Sequence, residues 1–253
     1  MTKENISIGI KSLSVSYEKK RVLTNIFLDF EKGNLYGIIG PNGAGKSTLF
    51  KAILGLIEAY SGQVEINGQA IENQRKKIVY VPQKSEVDWS FPATVHDVVL
   101  MGRYPHKKVF SRLNAADHAK AKAAMNELGI TDLQRRQIGE LSGGQQQRVF
   151  LARALAQEAD IFLLDEPFVG VDITTEEKII QVLKRLASEG KTLLVVHHDL
   201  SSVHTYFDQV ILLNQRLIAY GPTQEVFVEE NIAKAYRGQL PILHQLGVID
   251  DRK

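Results

Sequence analysis

The chain contains no cysteine among its 253 residues, which excludes a disulfide framework and any thiolate metal centre and suits a cytosolic setting. It has little charge imbalance. Lys+Arg 31 against Asp+Glu 29 leave a net +2, so no global field draws it to nucleic acid. Long hydrophobic runs are missing. A spanning helix takes about 20 apolar residues, whereas the longest stretches here are Ile161–Leu164, Leu193–Val196 and Val210–Leu213. The first residues, Met1 to Asn5, lead into an alternating pattern without the apolar region of a signal peptide, so no targeting segment is expected. Any work at a membrane would go through a partner. There is no internal repeat, low-complexity segment or heptad array. What remains is ordinary globular composition, 44% hydrophobic and 24% charged, at a length that allows one large domain or one domain with an inserted lobe.

The chain opens in β pattern. Ile6, Ile8 and Ile10 alternate with other residues, as do Leu13, Val15 and Tyr17, then Ile26, Leu28 and Phe30. Period two means one buried face, the habit of antiparallel strands. Later strand candidates are near-continuous apolar runs: Leu35–Ile39, Ile78–Val81, Ile161–Leu164 and Leu193–Val196. Such runs suit central strands of a parallel sheet covered on both faces, in a doubly wound α/β arrangement with sites at the strand carboxyl ends. The stretch from Asp88 to Ala159 is Ala-rich and helical in pattern (Ala115–Leu128, Gln145–Gln157), and reads as an inserted lobe. From Gly221 onward, Pro222 and Pro241 punctuate short helical segments.

Three strings carry chemistry. Gly40-Pro41-Asn42-Gly43-Ala44-Gly45-Lys46-Ser47 fits G-x-x-x-x-G-K-[ST], with a strand running in and a predicted helix, Ser47–Leu56, running out with Leu49, Ile53 and Leu56 on one face. Glycines let backbone N–H groups approach phosphates, and the helix start adds partial positive charge. Lys46 would reach the β- and γ-phosphates, and the Ser47 hydroxyl would ligate Mg²⁺. Ile161-Phe162-Leu163-Leu164-Asp165-Glu166 is an apolar strand ending in two acids. Beside a phosphate loop, Asp165 becomes the expected Mg²⁺ carboxylate and Glu166 the group that polarises an attacking water. Leu141-Ser142-Gly143-Gly144-Gln145 opens a helical stretch and makes a second anion cradle. One compact domain has no need of two cradles for one nucleotide. A dimer in which each second cradle closes over the other copy's nucleotide resolves this.

In order and spacing these strings resemble the ATP-binding subunit of an ABC transporter, over nearly the whole chain. The resemblance implies a P-loop NTPase (RecA-like) core with an N-terminal antiparallel β subdomain and an inserted α-helical subdomain. As one such ATP-binding domain, the chain would divide into a core at about 1–87 and 160–220, the helical part at about 88–159 and an appendage at about 221–253. It also implies ATP and Mg²⁺ as ligands, with hydrolysis to ADP and phosphate. Tyr17 resembles the aromatic that stacks on adenine, and Gly40–Thr48, with Thr48 closing it, the Walker A loop. Gln83, in Val81-Pro82-Gln83, resembles the Q-loop glutamine that senses the γ-phosphate and Mg²⁺. Ile161–Glu166 resembles Walker B with the catalytic glutamate. Asp172 resembles the D-loop aspartate, and His198 the switch histidine that holds the γ-phosphate. His197 stands where the family more often has Thr or Ser, and the spacing to Asp199 picks His198.

The stretch Asp88 to Pro105 is similar to the ATPases of manganese-, zinc- and iron-type metal importers. That implies import of a divalent metal, manganese favoured, through a separate membrane permease, at the cytoplasmic face of the inner membrane. A second copy of the chain and, indirectly, an extracytoplasmic metal-binding protein complete the expected partners. The alternatives are another cargo, or a soluble ABC ATPase acting without a permease. No nucleic-acid partner is expected. Other residues take plainer readings. His197, His198 and His204 are poorly spaced for two ligands on one helix face. His96, His106, His118 and His244 read as scattered surface or satisfied residues. Trp89 and Phe91 beside Pro92 are either a hydrophobic staple under the lobe or an aromatic patch for a membrane partner.

Overall fold

The computed structural model describes residues 5–18, 20–108 and 111–236. His244 and Pro241 lie outside the described residues. In chain order the strands are β1 (Ile6–Tyr17), β2 (Lys20–Glu31), β3 (Leu35–Ile39), β4 (Ser61–Ile66), β5 (Ile78–Val81), β6 (Ile161–Asp165), β7 (Thr192–Val196), β8 (Gln209–Leu213) and β9 (Leu217–Pro222). The α-helices are α1 (Lys46–Ile53), α2 (Val95–Met101), α3 (Ala115–Glu127), α4 (Gly143–Ala156), α5 (Ile173–Ser188), α6 (Val203–Tyr206), α7 (Thr223–Val226) and α8 (Glu229–Ala235). The chain forms two compact units, residues 1–75 with 186–253, and residues 76–185.

The first unit holds two sheets. β1 pairs antiparallel with β2 on one side and β4 on the other. The alternation that predicts these strands slips by one residue between Ile10 and Leu13, and again between Leu23 and Ile26. The sheet answers with a bulge, where Ser12 (φ 52) and Asn25 (φ 53) adopt left-handed backbone and the Ser12 hydroxyl donates to Asn25 Oδ1 at 2.8 Å. The slip keeps Ile8, Ile10, Leu13, Leu23, Ile26 and Phe30 all on the buried face. Ile6 and Tyr17, counted in the same pattern, end half-buried and exposed. β3 pairs parallel with β7 and with β8, and β8 turns back antiparallel into β9. Every residue of β3 and β7 is buried, as the unbroken apolar runs require.

One helix differs from expectation. α1 stops at Ile53, and Leu56 is 61% exposed rather than on the buried face with Leu49 and Ile53. The cause is Gly55, at φ 64: its N–H bonds to Ala52 O and the Leu56 N–H to Lys51 O, a Schellman stop.

The second unit pairs β5 parallel with β6 and is otherwise mainly helical: α2 and α3 pack on α4, with Val95, Val99, Met125, Val149 and Ala152 buried. α2 and α3 each begin with a capping box, from Thr94/Asp97 and Asn114/Asp117. A buried charge cluster ties their ends. Arg103 holds Asp117 at 3.3 Å, Glu158 at 2.8 Å and the Ala156 carbonyl at 2.5 Å. Those bonds, with Lys107, keep the Asp117 carboxyl well below its ordinary range, chiefly through the Asn114 N–H.

Candidate functional site

The phosphate loop lies in the first unit, between β3 and α1. Its geometry is set by neighbours that leave no choice of residue. A Cβ on Gly40 would stand 2.0 Å from the Leu213 carbonyl oxygen, so only glycine fits there. Gly43 and Gly45 take φ values of 78 and 95, and a Cβ on Gly43 would meet nothing within 4 Å: the loop's mouth is open at that point. No side chain caps α1, so its first turn presents backbone toward that mouth. Lys46 is buried, its Nζ donating to Gly40 O at 2.7 Å and Pro41 O at 3.1 Å. Ser47 and Thr48 are half-buried and Asn42 is exposed. This open, amide-rich cradle with a lysine folded over it fits a triphosphate.

Two supports of the loop escape the sequence reading. The Gln215 N–H donates to Ala44 O at 2.8 Å, anchoring the loop to the β8–β9 turn. Tyr236, beyond α8, hydrogen-bonds the Gly40 backbone, and burial pushes its phenol up to about 12. Asn214 Nδ2 holds the Ala235 carbonyl at 2.7 Å and so places Tyr236. Nothing in the motif announces a tyrosine 196 positions on (236 − 40).

The same unit places Tyr17 at the end of β1, 44% exposed, and separates the two adjacent histidines. His197 is buried. Its N–H donates to Ile38 O at 3.2 Å, its Nε2 lies 2.7 Å from Ser202 Oγ, and its ring packs among Tyr206 and Phe207. Burial, helped by the neighbouring His198, pulls its pKa down to about 4, so it is neutral at pH 7. His198 is exposed at the end of β7.

The second unit carries the acids and the second cradle. β6 delivers Asp165, 2% exposed, and then Glu166, which takes left-handed backbone at φ 52. Such a conformation in a glutamate is held only where surroundings fix it. Here Gln83 Nε2 donates to Glu166 Oε2 at 2.7 Å. Tyr80 on β5 hydrogen-bonds Asp165 and Glu86; burial and then those carboxylates raise its phenol, so it stays a donor. α4 starts at Gly143, two residues earlier than the Gln145 expected, and Ser142 is its cap. The Gln145 N–H donates to Ser142 Oγ at 3.4 Å and the Ser142 N–H to Gln145 Oε1 at 3.0 Å. Gly144 faces Val171 and the Gly170 carbonyl. Asp172 caps α5, accepting from the Thr175 N–H at 3.0 Å and its hydroxyl at 2.7 Å, which lowers its pKa. Lys84, unremarked in the sequence although it follows Gln83, lays its Nζ over Gly143, 2.5 Å from where a Cβ would stand.

The aromatic string divides. Trp89 is half-buried, its Nε1 donating to Lys84 O at 2.9 Å and its ring 5.1 Å from that of Phe150, so it is the staple. Phe91, 57% exposed, is not. Among the described residues no helix is long and apolar enough to cross a membrane.

The ABC transporter family profile matches residues 23–169. The manganese transport system ATP-binding protein MntB of Bacillus subtilis is 53% identical over 93% of this chain and 94% of its own length. The zinc transport system ATP-binding protein TroB of Treponema pallidum is 50% identical over 92% and 88%. Among solved structures, a nucleotide-free ATP-binding cassette from an ABC transporter superposes with a TM-score of 0.76 at 27% identity, covering 91% of this chain and 94% of that one. A chain of an inward-facing transporter described as of metal-chelate type gives 0.80 at 30% identity, covering 91% and 88%. With the loop, the paired acids and the α4 cradle in place, the chain belongs to the ABC transporter family of ATP-binding subunits: it is a nucleotide-binding ATPase built on a P-loop NTPase core with an antiparallel β part and a helical part.

Proposed function

We propose that the chain is the subunit that powers import of a divalent metal, manganese in the first instance, through separate permease subunits at the cytoplasmic face of the inner membrane. The relatives named for manganese and zinc transport support this reading. Two copies bind two ATP molecules, each lying between Gly40–Thr48 of one copy and Ser142–Gln145 of the other, with Tyr17 against adenine. Lys46 and the facing amides stabilise charge on the transferring phosphoryl group. Lys84 adds a cation to the second cradle. Glu166 takes the proton of the attacking water, and Gln83, bonded to it at 2.7 Å, holds it in line. His198 holds the γ-phosphate, and Asp172 fixes the start of α5 beside the second cradle. Ser47, Gln83 and Asp165 are the residues that would hold Mg²⁺, which supplies charge neutralisation on the phosphates. Exposed Phe91, Met101 and Tyr104 in residues 88–159 offer the apolar face for the permease. An extracytoplasmic metal-binding protein delivers the ion to the far side of that permease.

The observation that carries the hydrolytic mechanism is Glu166 itself, in a strained backbone state with its carboxylate gripped by Gln83. Glu166→Gln is expected to keep ATP binding, lower phosphate release by about 10²- to 10⁴-fold and accumulate closed dimers. Unchanged turnover in that variant removes Glu166 from the mechanism.

A further inference from the structure

Two histidines that are 22 positions apart in sequence (118 − 96) meet on the surface of the second unit. His96 is the second residue of α2 and His118 lies in the first turn of α3, and these helices pack side by side. The rings stack with centroids 5.4 Å apart and planes 12° from parallel. His118 Nδ1 stands 3.4 Å from His96 Nε2. The other nitrogen of His96, Nδ1, faces Asp97 Oδ1 at 3.9 Å. The imidazoles do not plug a core: the His96 side chain is 32% exposed, and His118 is exposed.

That spacing is long for a hydrogen bond. It matches another chemistry better. Two imidazole nitrogens, each about 2.05 Å from one tetrahedral ion, stand roughly 3.3 Å apart. The near-parallel rings need only a turn about χ2, a broad torsion in histidine, to aim both lone pairs at one point. Asp97, whose other oxygen is held in the Thr94 capping box, lies beyond hydrogen-bond reach of His96 Nδ1, so it adds negative charge beside the pair without orienting the ring. We propose that His96 and His118 form a two-imidazole site for a zinc-class divalent ion, one that bridges α2 to α3. Among the described residues no third His, Asp or Glu joins the pair in a group that could hold a metal, so water would have to complete the coordination. Imidazole ligands favour Zn²⁺, Cu²⁺ and Ni²⁺ and hold Mn²⁺ least, since Mn²⁺ prefers oxygen and lies lowest in the affinity order. The site therefore distinguishes zinc from manganese on the helical part of the chain. It stands or falls independently of the proposed cargo.

Calorimetric titration of the metal-stripped full chain with ZnCl₂, without nucleotide, tests this. The wild-type chain is expected to take up one ion that His96→Ala and His118→Ala each weaken by more than about tenfold, at least the loss seen when an outer partner of a metal site is removed. His96→Gln and His118→Gln, which keep a polar side chain in place of the ring, are expected to weaken it equally, and circular dichroism checks that all four remain folded. His204→Ala is expected to leave binding unchanged. MnCl₂ is expected to bind far more weakly than ZnCl₂. Zinc affinity undiminished in the folded pair variants, or equal affinity for manganese and zinc, overturns the proposal.

Discussion

The two glycine-bearing loops of this chain are both helix starts, yet they are built oppositely. The loop before α1 has no side-chain cap, holds glycines at φ 78 and 95, and folds its own lysine over the mouth. The loop before α4 is closed by its own capping box, Ser142 against Gln145, with Lys84 over Gly143. The first leaves its helix start uncapped, with its lysine held by the loop's own Gly40 and Pro41 carbonyls. The second has satisfied itself, so an anion arriving there displaces a cap rather than filling an open cradle. On the proposed function the two loops act in different steps: the first would bind nucleotide in a single copy, and the second would be recruited only when another copy brings a triphosphate to it.

Disabling each loop in turn separates their roles. Lys46→Ala is expected to weaken ATP binding by about 10- to 100-fold, the worth of a charged hydrogen-bonded group, and to stop hydrolysis with it. Ser142→Arg is expected to leave nucleotide binding intact and stop hydrolysis alone. Fluorescent-nucleotide titration beside a phosphate-release assay separates the two, and a Ser142→Arg chain that also loses ATP refutes the division of labour.

A second test concerns the ground on which the first loop rests. His197 is buried against β3, with a pKa pulled down to about 4 from an ordinary 6.5. The unfolded chain therefore binds a proton in this window that the folded chain does not. Its contribution is fully present above pH 6.5 and is lost as pH falls toward 4, on the order of 1–3 kcal/mol. Urea unfolding across that range is expected to show the loss, and His197→Phe to flatten it. The smallest effect belongs to Tyr236→Phe, which removes one hydrogen bond from Gly40. It is expected to cost about 1 kcal/mol, seen as a several-fold weaker ATP affinity with little change in the hydrolysis rate at saturation.

Much of this was legible in the residues, for a physical reason. Backbone-dictated chemistry leaves a local trace: a glycine forced by a carbonyl at 2.0 Å, an unbroken apolar strand ending in Asp165 and Glu166, a Ser–x–x–Gln box. Even the β bulge was written as a one-residue slip in the alternation between Ile10 and Leu13. The unread part depends on packing between distant segments. Tyr236 under Gly40 and His118 beside His96 have no periodic or spaced signal, because the fold brings them together after the local pattern is spent. Leu56 departs from the helical period because at Gly55 a left-handed stop outweighs an apolar residue one turn on. Trp89 and Phe91 share one string but part company, since only the indole finds a carbonyl and a ring to pack on.

The claim that each catalytic centre is shared between two copies is tested most directly by mixing the two disabled chains. A Lys46→Ala copy retains a sound second cradle, and a Ser142→Arg copy retains a sound phosphate loop. If the centre is shared, together they assemble one whole centre that neither possesses alone. The mixture is expected to hydrolyse ATP well above the sum of the separate rates, and increasingly so with concentration. A mixture no more active than that sum, alongside a wild-type rate per chain indifferent to dilution, contradicts the claim.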